Sequence, residues 1–209
     1  MLKEKEVNSM SRNKYRIGIL SMQGATEEHA GQLRDLGHEP ILIKNKEMLE
    51  NVDGLIIPGG ESTAIWRLMK KNNLIEAVQQ FAQLKKPIFG TCAGLVLLGK
   101  SQVETEEPVS LKLMDIQVKR NGFGRQKDSF EANLDVKGIK EAYPAVFIRA
   151  PYIESVGENV EVLAAYDNKI VAAREDNLLV AAFHPELTDD NQFLELFLSM
   201  VGEKSVLMI

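Results

Sequence analysis

Cys92 is the only cysteine in 209 residues, and it sits in Gly90-Thr91-Cys92-Ala93-Gly94. The apolar run Pro87 to Gly90 precedes it and a helical run to Leu98 follows, so the thiol falls on a sharp strand-to-helix turn. Such an elbow pushes a nucleophile clear of the sheet, and the flanking glycines remove side chains that would collide there. The positive end of the following helix favours thiolate over thiol, and the N–H of Ala93 can donate to an oxyanion. A lone cysteine is more often a small buried hydrophobe, but a core cysteine on a strand needs no glycine on both sides. A single thiol also excludes an intrachain disulfide framework and a multi-cysteine metal site.

A thiol nucleophile needs a base, and the chain offers His29, His38 and His184. His29 lies in a polar stretch beside two glutamates and His38 follows Gly37, so both read as solvated structural residues. His184 emerges from the buried run Leu178 to Phe183 and is followed by Pro185 and Glu186. In an extended segment residues i and i+2 point to the same side, so Glu186 can orient the imidazole while Pro185 fixes the backbone between them. Cys92, His184 and Glu186 thus have the types needed for nucleophile, base and orienting carboxylate. Taken alone, His184-Pro185-Glu186 is equally a strand-ending turn.

Pro58-Gly59-Gly60-Glu61-Ser62 closes another buried run. Gly59 and Gly60 free the backbone to turn N–H groups toward an anion, and Ser62 can cap the helix that follows. The segment lacks the spacing of a phosphate-binding P-loop, so a second oxyanion donor beside Ala93 is the better reading.

These segments need a scaffold that brings strand ends together. Tyr15–Ser21, Glu39–Ile43, Asp53–Ile57, Pro87–Gly90 and Leu178–Phe183 are short apolar runs of strand length. Helical stretches are expected over Thr26–Leu36, again after Ile43, over Thr63–Lys70 and over Asn73–Gln83. Thr188 is placed to cap a last helix with Phe193, Leu194, Phe197, Leu198 and Val201 on one face. Strands alternating with helices predict an α/β fold with a mostly parallel sheet covered on both faces. From Leu113 the texture changes: Phe130–Val136 alternates, and Val160–Tyr166 and Lys169–Arg174 flank Asp167-Asn168 like a hairpin. A smaller antiparallel section is expected there. In an open parallel sheet, sites collect at the carboxyl ends of strands.

The length suits one domain over residues 14–209, preceded by a polar, mobile extension over residues 1–13. A net charge of −5 with scattered Lys and Arg leaves no basic stripe for nucleic acid. No apolar run approaches the ~20 residues of a membrane span, and a cytoplasmic location is expected.

The ordered motifs PGGEST (Pro58–Thr63), GTCAG (Gly90–Gly94), RNGFGRQ (Arg120–Gln126) and HPELT (His184–Thr188) resemble the class I, triad-type glutamine amidotransferases. They are most similar to the glutaminase subunits of pyridoxal 5'-phosphate synthases, from about Lys14 to Val201. The resemblance implies a flavodoxin-like three-layer sandwich, with Cys92 as nucleophile and His184 and Glu186 completing the triad. It implies that L-glutamine is held by Gly60, Glu61, Ser62, Arg120, Ile148 and Arg149. It implies a barrel-shaped synthase (lyase) partner that receives the ammonia, twelve copies of each subunit, and no bound cofactor or metal in this chain. The turn Gln23-Gly24-Ala25 would lie near the site and the partner face. Free glutamine carries an α-carboxylate and an α-ammonium, which arginine and glutamate side chains can bind at opposite ends. Three rivals stand beside this reading: a glutaminase subunit of another pathway such as histidine biosynthesis, another cysteine hydrolase on the same fold, and a non-catalytic docking subunit.

Overall fold

The computed structural model describes residues 14–101, 109–123 and 129–207. The extension expected over residues 1–13 lies outside them, as do Gly124, Arg125 and Gln126 of the RNGFGRQ motif. The first half of the chain alternates strand and helix: β1 (Arg16–Leu20), α1 (Thr26–Asp35), β2 (Glu39–Ile43), β3 (Gly54–Ile57), α2 (Ser62–Lys71), α3 (Leu74–Gln83), β4 (Ile88–Thr91) and α4 (Ala93–Leu98). Strands then dominate, with β5 (Lys100–Ser101), β6 (Ile116–Lys119), β7 (Ser129–Leu134), β8 (Tyr143–Ile148), β9 (Tyr152–Val156), β10 (Glu161–Tyr166), β11 (Lys169–Glu175) and β12 (Leu178–Ala181) before α5 (Gln192–Leu207).

The main sheet runs β2-β1-β3-β4-β12-β11-β9-β6-β5, with β10 paired to β11. Every pairing from β2 to β12 is parallel. Strands β3, β4 and β12 are buried at every residue, as strands covered on both faces must be. Beyond β12 the sheet turns antiparallel through β11, β9 and β6, and β7 and β8 form a separate antiparallel ribbon. The hairpin joining β10 to β11 turns at Asp167 and Asn168, both with positive φ (50° and 57°), the combination a two-residue type I′ turn requires.

Strand alternation sorts the helices. Phe89 of β4 packs on Phe193 and Phe197 of α5 and meets the His29 ring of α1 edge-on. Gly90, pointing the opposite way, lies against α4: a Cβ there would come within 2.7 Å of Leu98 Cδ1 and of the Gly94 carbonyl carbon. Helices α1 and α5 therefore cover one face and α4 the other, with α2 packed on α3 and α4. The α5 residues Phe193, Leu194, Phe197, Leu198 and Val201 are all buried, the face their spacing predicts.

Four local expectations need correction. The segment after β2 forms only a 3-10 turn, Lys46–Leu49, started by Asn45 Oδ1 accepting from Met48 N–H. Ser62 is the first residue of α2 rather than its cap; the Glu61 carboxylate caps the helix by accepting from the N–H groups of Thr63 and Ala64 (2.9 and 2.7 Å). A two-oxygen acceptor one residue earlier satisfies two orphan donors where a hydroxyl would satisfy one. Thr188 does not cap α5, since its hydroxyl accepts from Asp190 N–H and Asp190 Oδ1 in turn accepts from Gln192 N–H. His29 is fully buried rather than solvated. Among the described residues no helix is long and apolar enough to cross a membrane.

Candidate active site

The register aligns three strand ends: Ile57 lies opposite Gly90, and Gly90 opposite Val180. The chain leaves these neighbours as Pro58-Gly59, as Cys92 and, three residues after Ala181, as His184. Segments far apart in sequence so converge on one edge of the sheet.

At the elbow Cys92 has φ 47° and ψ −98°, a conformation costing an ordinary residue about 1–3 kcal/mol. Its N–H donates to Ala181 O at 2.8 Å, and its carbonyl accepts from Val96 N–H at 3.3 Å. Strand β12 on one side and α4 on the other hold the turn. Gly94 lets α4 approach so closely: a Cβ there would lie 2.1 Å from Ile57 O. Cys92 is 9% exposed, and its thiol donates to the Ile148 carbonyl at 4.0 Å.

His184 is held from three sides. Its N–H donates to Val146 O of β8 at 2.8 Å, its Nδ1 lies 2.7 Å from Glu186 Oε1, and Gly59 packs against its Cε1 edge. Pro185–Leu187 is a 3-10 turn rather than extended chain, closed by Leu187 N–H donating to His184 O at 3.2 Å. Pro185 suits the first position of that turn because its N–H is not needed there. The carboxylate reaches the imidazole by folding back, not by alternation along a strand.

Burial opposes charge on the His184 ring, yet the hydrogen bonds and charges of Cys92 and Glu186 outweigh it and push its pKa up to about 10. Burial would raise the Glu186 carboxyl, but the His29 and His184 rings and the His184 hydrogen bond hold it below the ordinary carboxylate value. His29 goes the other way: burial lowers its pKa, more than the Glu186 charge restores. The Glu61 carboxyl is pulled down, first by the Thr63 N–H and then by the Ala64 N–H and the Arg120 charge.

A cleft of about 480 Å³ opens over the thiol. Cys92, Ala93 and His184 line it together with Gly60, Glu61, Ser62, Arg120, Ile148 and Arg149. Gly59 and Glu186 stand behind this lining, each against the His184 ring. Gln23 joins the cleft as well, its Oε1 accepting from Glu61 N–H at 3.2 Å. Val96, Asn121 and Pro151 complete the wall; Asn121 belongs to the RNGFGRQ motif, whereas Val96 and Pro151 do not stand out in the sequence. The Arg120 loop is tied to the Arg149 segment by Gly122 N–H donating to Ala150 O at 3.0 Å. Gly122 is there for packing, since a Cβ would enter the Tyr152 ring at 2.0 Å. His38 lies apart from the cleft, stacked on Tyr15 and accepting from its N–H. Among the described residues no group of three or more His, Cys, Asp or Glu could hold a metal ion.

Fold and site define a class: three-layer α/β proteins that present a cysteine at a strand-to-helix elbow beside a carboxylate-oriented imidazole. The chain belongs to the SNO glutamine amidotransferase family, whose model matches residues 19–203. It is 60% identical over 190 residues to the pyridoxal 5'-phosphate synthase subunit PdxT of Oceanobacillus iheyensis, covering 91% of this chain and 95% of that one. It is 52% identical to the protein of the same name from Actinobacillus pleuropneumoniae, over 91% of this chain and 97% of that one. A crystal structure of a glutamine amidotransferase superposes with a TM-score of 0.84 at 39% identity, covering 89% of this chain and 98% of that chain. A glutamine amidotransferase from Thermotoga maritima shares the fold at 10% identity, with a TM-score of 0.59 over 93% of this chain and 87% of that chain.

Proposed function

We propose that this chain hydrolyses L-glutamine to L-glutamate and ammonia at Cys92, and passes the ammonia to a synthase subunit that makes pyridoxal 5'-phosphate. One observation carries the chemistry: the strained Cys92 elbow and the Glu186-bound His184 ring meet at the floor of one cleft. The relatives named as pyridoxal 5'-phosphate synthase subunits support the pathway.

In this reading the Cys92 thiolate adds to the γ-carboxamide carbon of glutamine. The carbonyl oxygen takes the negative charge and accepts from backbone N–H groups of Gly59, Gly60 and Ala93. The His184 imidazolium gives its proton to the departing nitrogen, the C–N bond breaks, and ammonia leaves a Cys92 thioester. Water then loses a proton to His184 and adds to the thioester, releasing glutamate and restoring the thiolate. Glu186 keeps the proton-bearing Nδ1 turned away from the thiol, so that Nε2 faces the reaction. Arg120 and Arg149 attract the α-carboxylate, and the anionic Glu61 attracts the α-ammonium. Gly60, Ser62 and Ile148 shape the wall between these charges and the thiol.

The partner is a barrel-shaped lyase, assembled as twelve copies of each subunit, and the pair works in the cytoplasm. Residues 14–209 act as one amidotransferase domain. The deciding experiment measures glutamate release from L-glutamine by the full chain, alone and with the cognate synthase, using Cys92→Ala as control. Cys92-dependent release that rises with the synthase is the expected result. Cys92-dependent release indifferent to the synthase would move the chain to another pathway, and no release from folded complex would leave a docking role only.

A further inference from the structure

Helix α1 reaches the back of the site with two side chains that the reaction above does not use. Gln32 Nε2 donates to Pro185 O at 2.9 Å and to Thr188 O at 3.2 Å, fastening the turn that carries Glu186. One helical turn earlier, the His29 ring is 0% exposed. Its Nε2 lies 3.4 Å from Thr91 Oγ1 and 3.5 Å from Glu186 Oε2. Thr91 immediately precedes the nucleophile, and the other oxygen of Glu186 holds the His184 ring.

Glu186 Oε2 is buried and has no hydrogen-bond partner at ordinary distance among the described residues. A buried carboxylate oxygen without a donor is costly, and the nitrogen facing it is His29 Nε2. An ionised carboxylate can only accept, so that nitrogen must carry the hydrogen. The ring need not be charged to do this. Burial and the nearby His184 imidazolium disfavour a second positive charge, against the opposing pull of Glu186 and Glu28. Thr91 and the Phe89 ring also lie against it, and its Nδ1, which carries no hydrogen in this tautomer, is buried with no hydrogen-bond partner among the described residues.

We propose that His29 is a positioning residue for the hydrolysis: as a neutral ring with its hydrogen on Nε2, it shares that hydrogen between Thr91 Oγ1 and Glu186 Oε2. One side chain thereby ties the strand end bearing the nucleophile to the carboxylate that orients the base. The contact leaves substrate untouched and acts on the base through Glu186, with Thr91 anchoring the ring. This inference rests on the glutaminase reading above.

The test uses the full chain with its cognate synthase and compares wild type, His29→Leu and His29→Gln. Leucine fills the space without a donor, whereas the glutamine amide can place an N–H near the position of Nε2. His29→Leu is expected to lower kcat about tenfold with KM for glutamine changed by less than about twofold, the size expected for one hydrogen bond to a charged group. Without the donor Glu186 takes up a proton more readily, so the acid limb of kcat/KM moves to higher pH. His29→Gln is expected to restore most of kcat and to return that limb toward wild type. If the leucine variant does not fold, His29→Asn replaces it, because its amide stops short of the Nε2 position. A donorless variant with wild-type kcat and acid limb would overturn the inference. So would equal losses in both variants with the limb unmoved, which a merely structural histidine would give. Wild-type complex that releases no glutamate would instead overturn the glutaminase reading, and the inference with it.

Discussion

Replacing Gly59 with alanine should cripple the site while leaving the fold in place. A Cβ on Gly59 would lie 2.6 Å from His184 Cε1, 3.1 Å from His184 Nδ1 and 3.4 Å from Cys92 Cβ. Ordinary carbon contacts begin near 3.5 Å, so the imidazole must retreat by about 1 Å. The edge that is pushed carries Nδ1, the atom now 2.7 Å from Glu186 Oε1. Gly59 is absent from the positive-φ glycines, so alanine meets no backbone penalty and the effect is steric. Such overpacking costs about 1–3 kcal/mol of stability, whereas a 1 Å displacement of a catalytic group can cost about 100-fold in rate. The charged wall at Glu61, Arg120 and Arg149 is untouched, so KM for glutamine should hardly change. Steady-state glutamate release by the synthase complex, read beside thermal unfolding of the same preparation, separates the two effects. A folded Gly59→Ala protein with kcat within about twofold of wild type would refute the placement of His184 as the working base.

Three further outcomes are expected. Glu186→Gln should lower kcat by on the order of 10²–10⁴-fold yet stay above Cys92→Ala, because the nucleophile remains and only the ring's orientation and charge support are lost. Stability should decline as pH rises from neutrality toward 10: the unfolded His184 ring loses its proton near 6.5 while the folded ring keeps it to about 10. The contribution is therefore fully present below 6.5 and lost as pH passes the folded value; urea midpoints at pH 7 and 10 should differ more in wild type than in His184→Gln. Gly31→Ala should stabilise the chain by about 0.5–1 kcal/mol with unchanged glutamate release. A Cβ there meets nothing within 4 Å in the middle of α1, and a lowered melting temperature would count against that placement.

The parts of the site that sequence reveals are those where a physical constraint acts over a few residues. Glycine at 90 and 94 announces the elbow because the close approach of α4 to β3 and β4 leaves no room for a Cβ at either position. The run LLVA is apolar at every position because β12 has no solvent face, and Asp167-Asn168 marks its turn because both must adopt positive φ. The burial of His29 is hidden because its charged neighbours describe only the solvent side of α1. Counting by turns gives the better signal: His29 and Leu33 are four apart and share the buried face with Ala30. Residue type alone favours Ser62 as the cap of α2, but which of two adjacent polar residues turns inward depends on how the loop enters the helix, a matter of tertiary geometry. Val96 and Pro151 give no local sign at all, since they become neighbours of the thiol only when distant segments meet.

That convergence follows from the parallel sheet itself. Strand β12 enters from antiparallel β11 yet lies parallel to β4, as β3 does, so the ends of β3, β4 and β12 point the same way and lie level once their register is set. The loop donors, the nucleophile and the base each come from one of these adjacent ends, and the spacing between strands fixes their separation without any long side chain. What the sheet does not fix is the azimuth of the imidazole, which must face the thiol on one edge and away from solvent on the other. The Val146 carbonyl, Glu186 and the Gly59 backbone set that angle. His29 sets the position of Glu186 from α1, the helix on the face opposite α4. Both layers flanking the sheet are thereby committed to the site, one shaping the elbow and the other steadying the carboxylate behind the base.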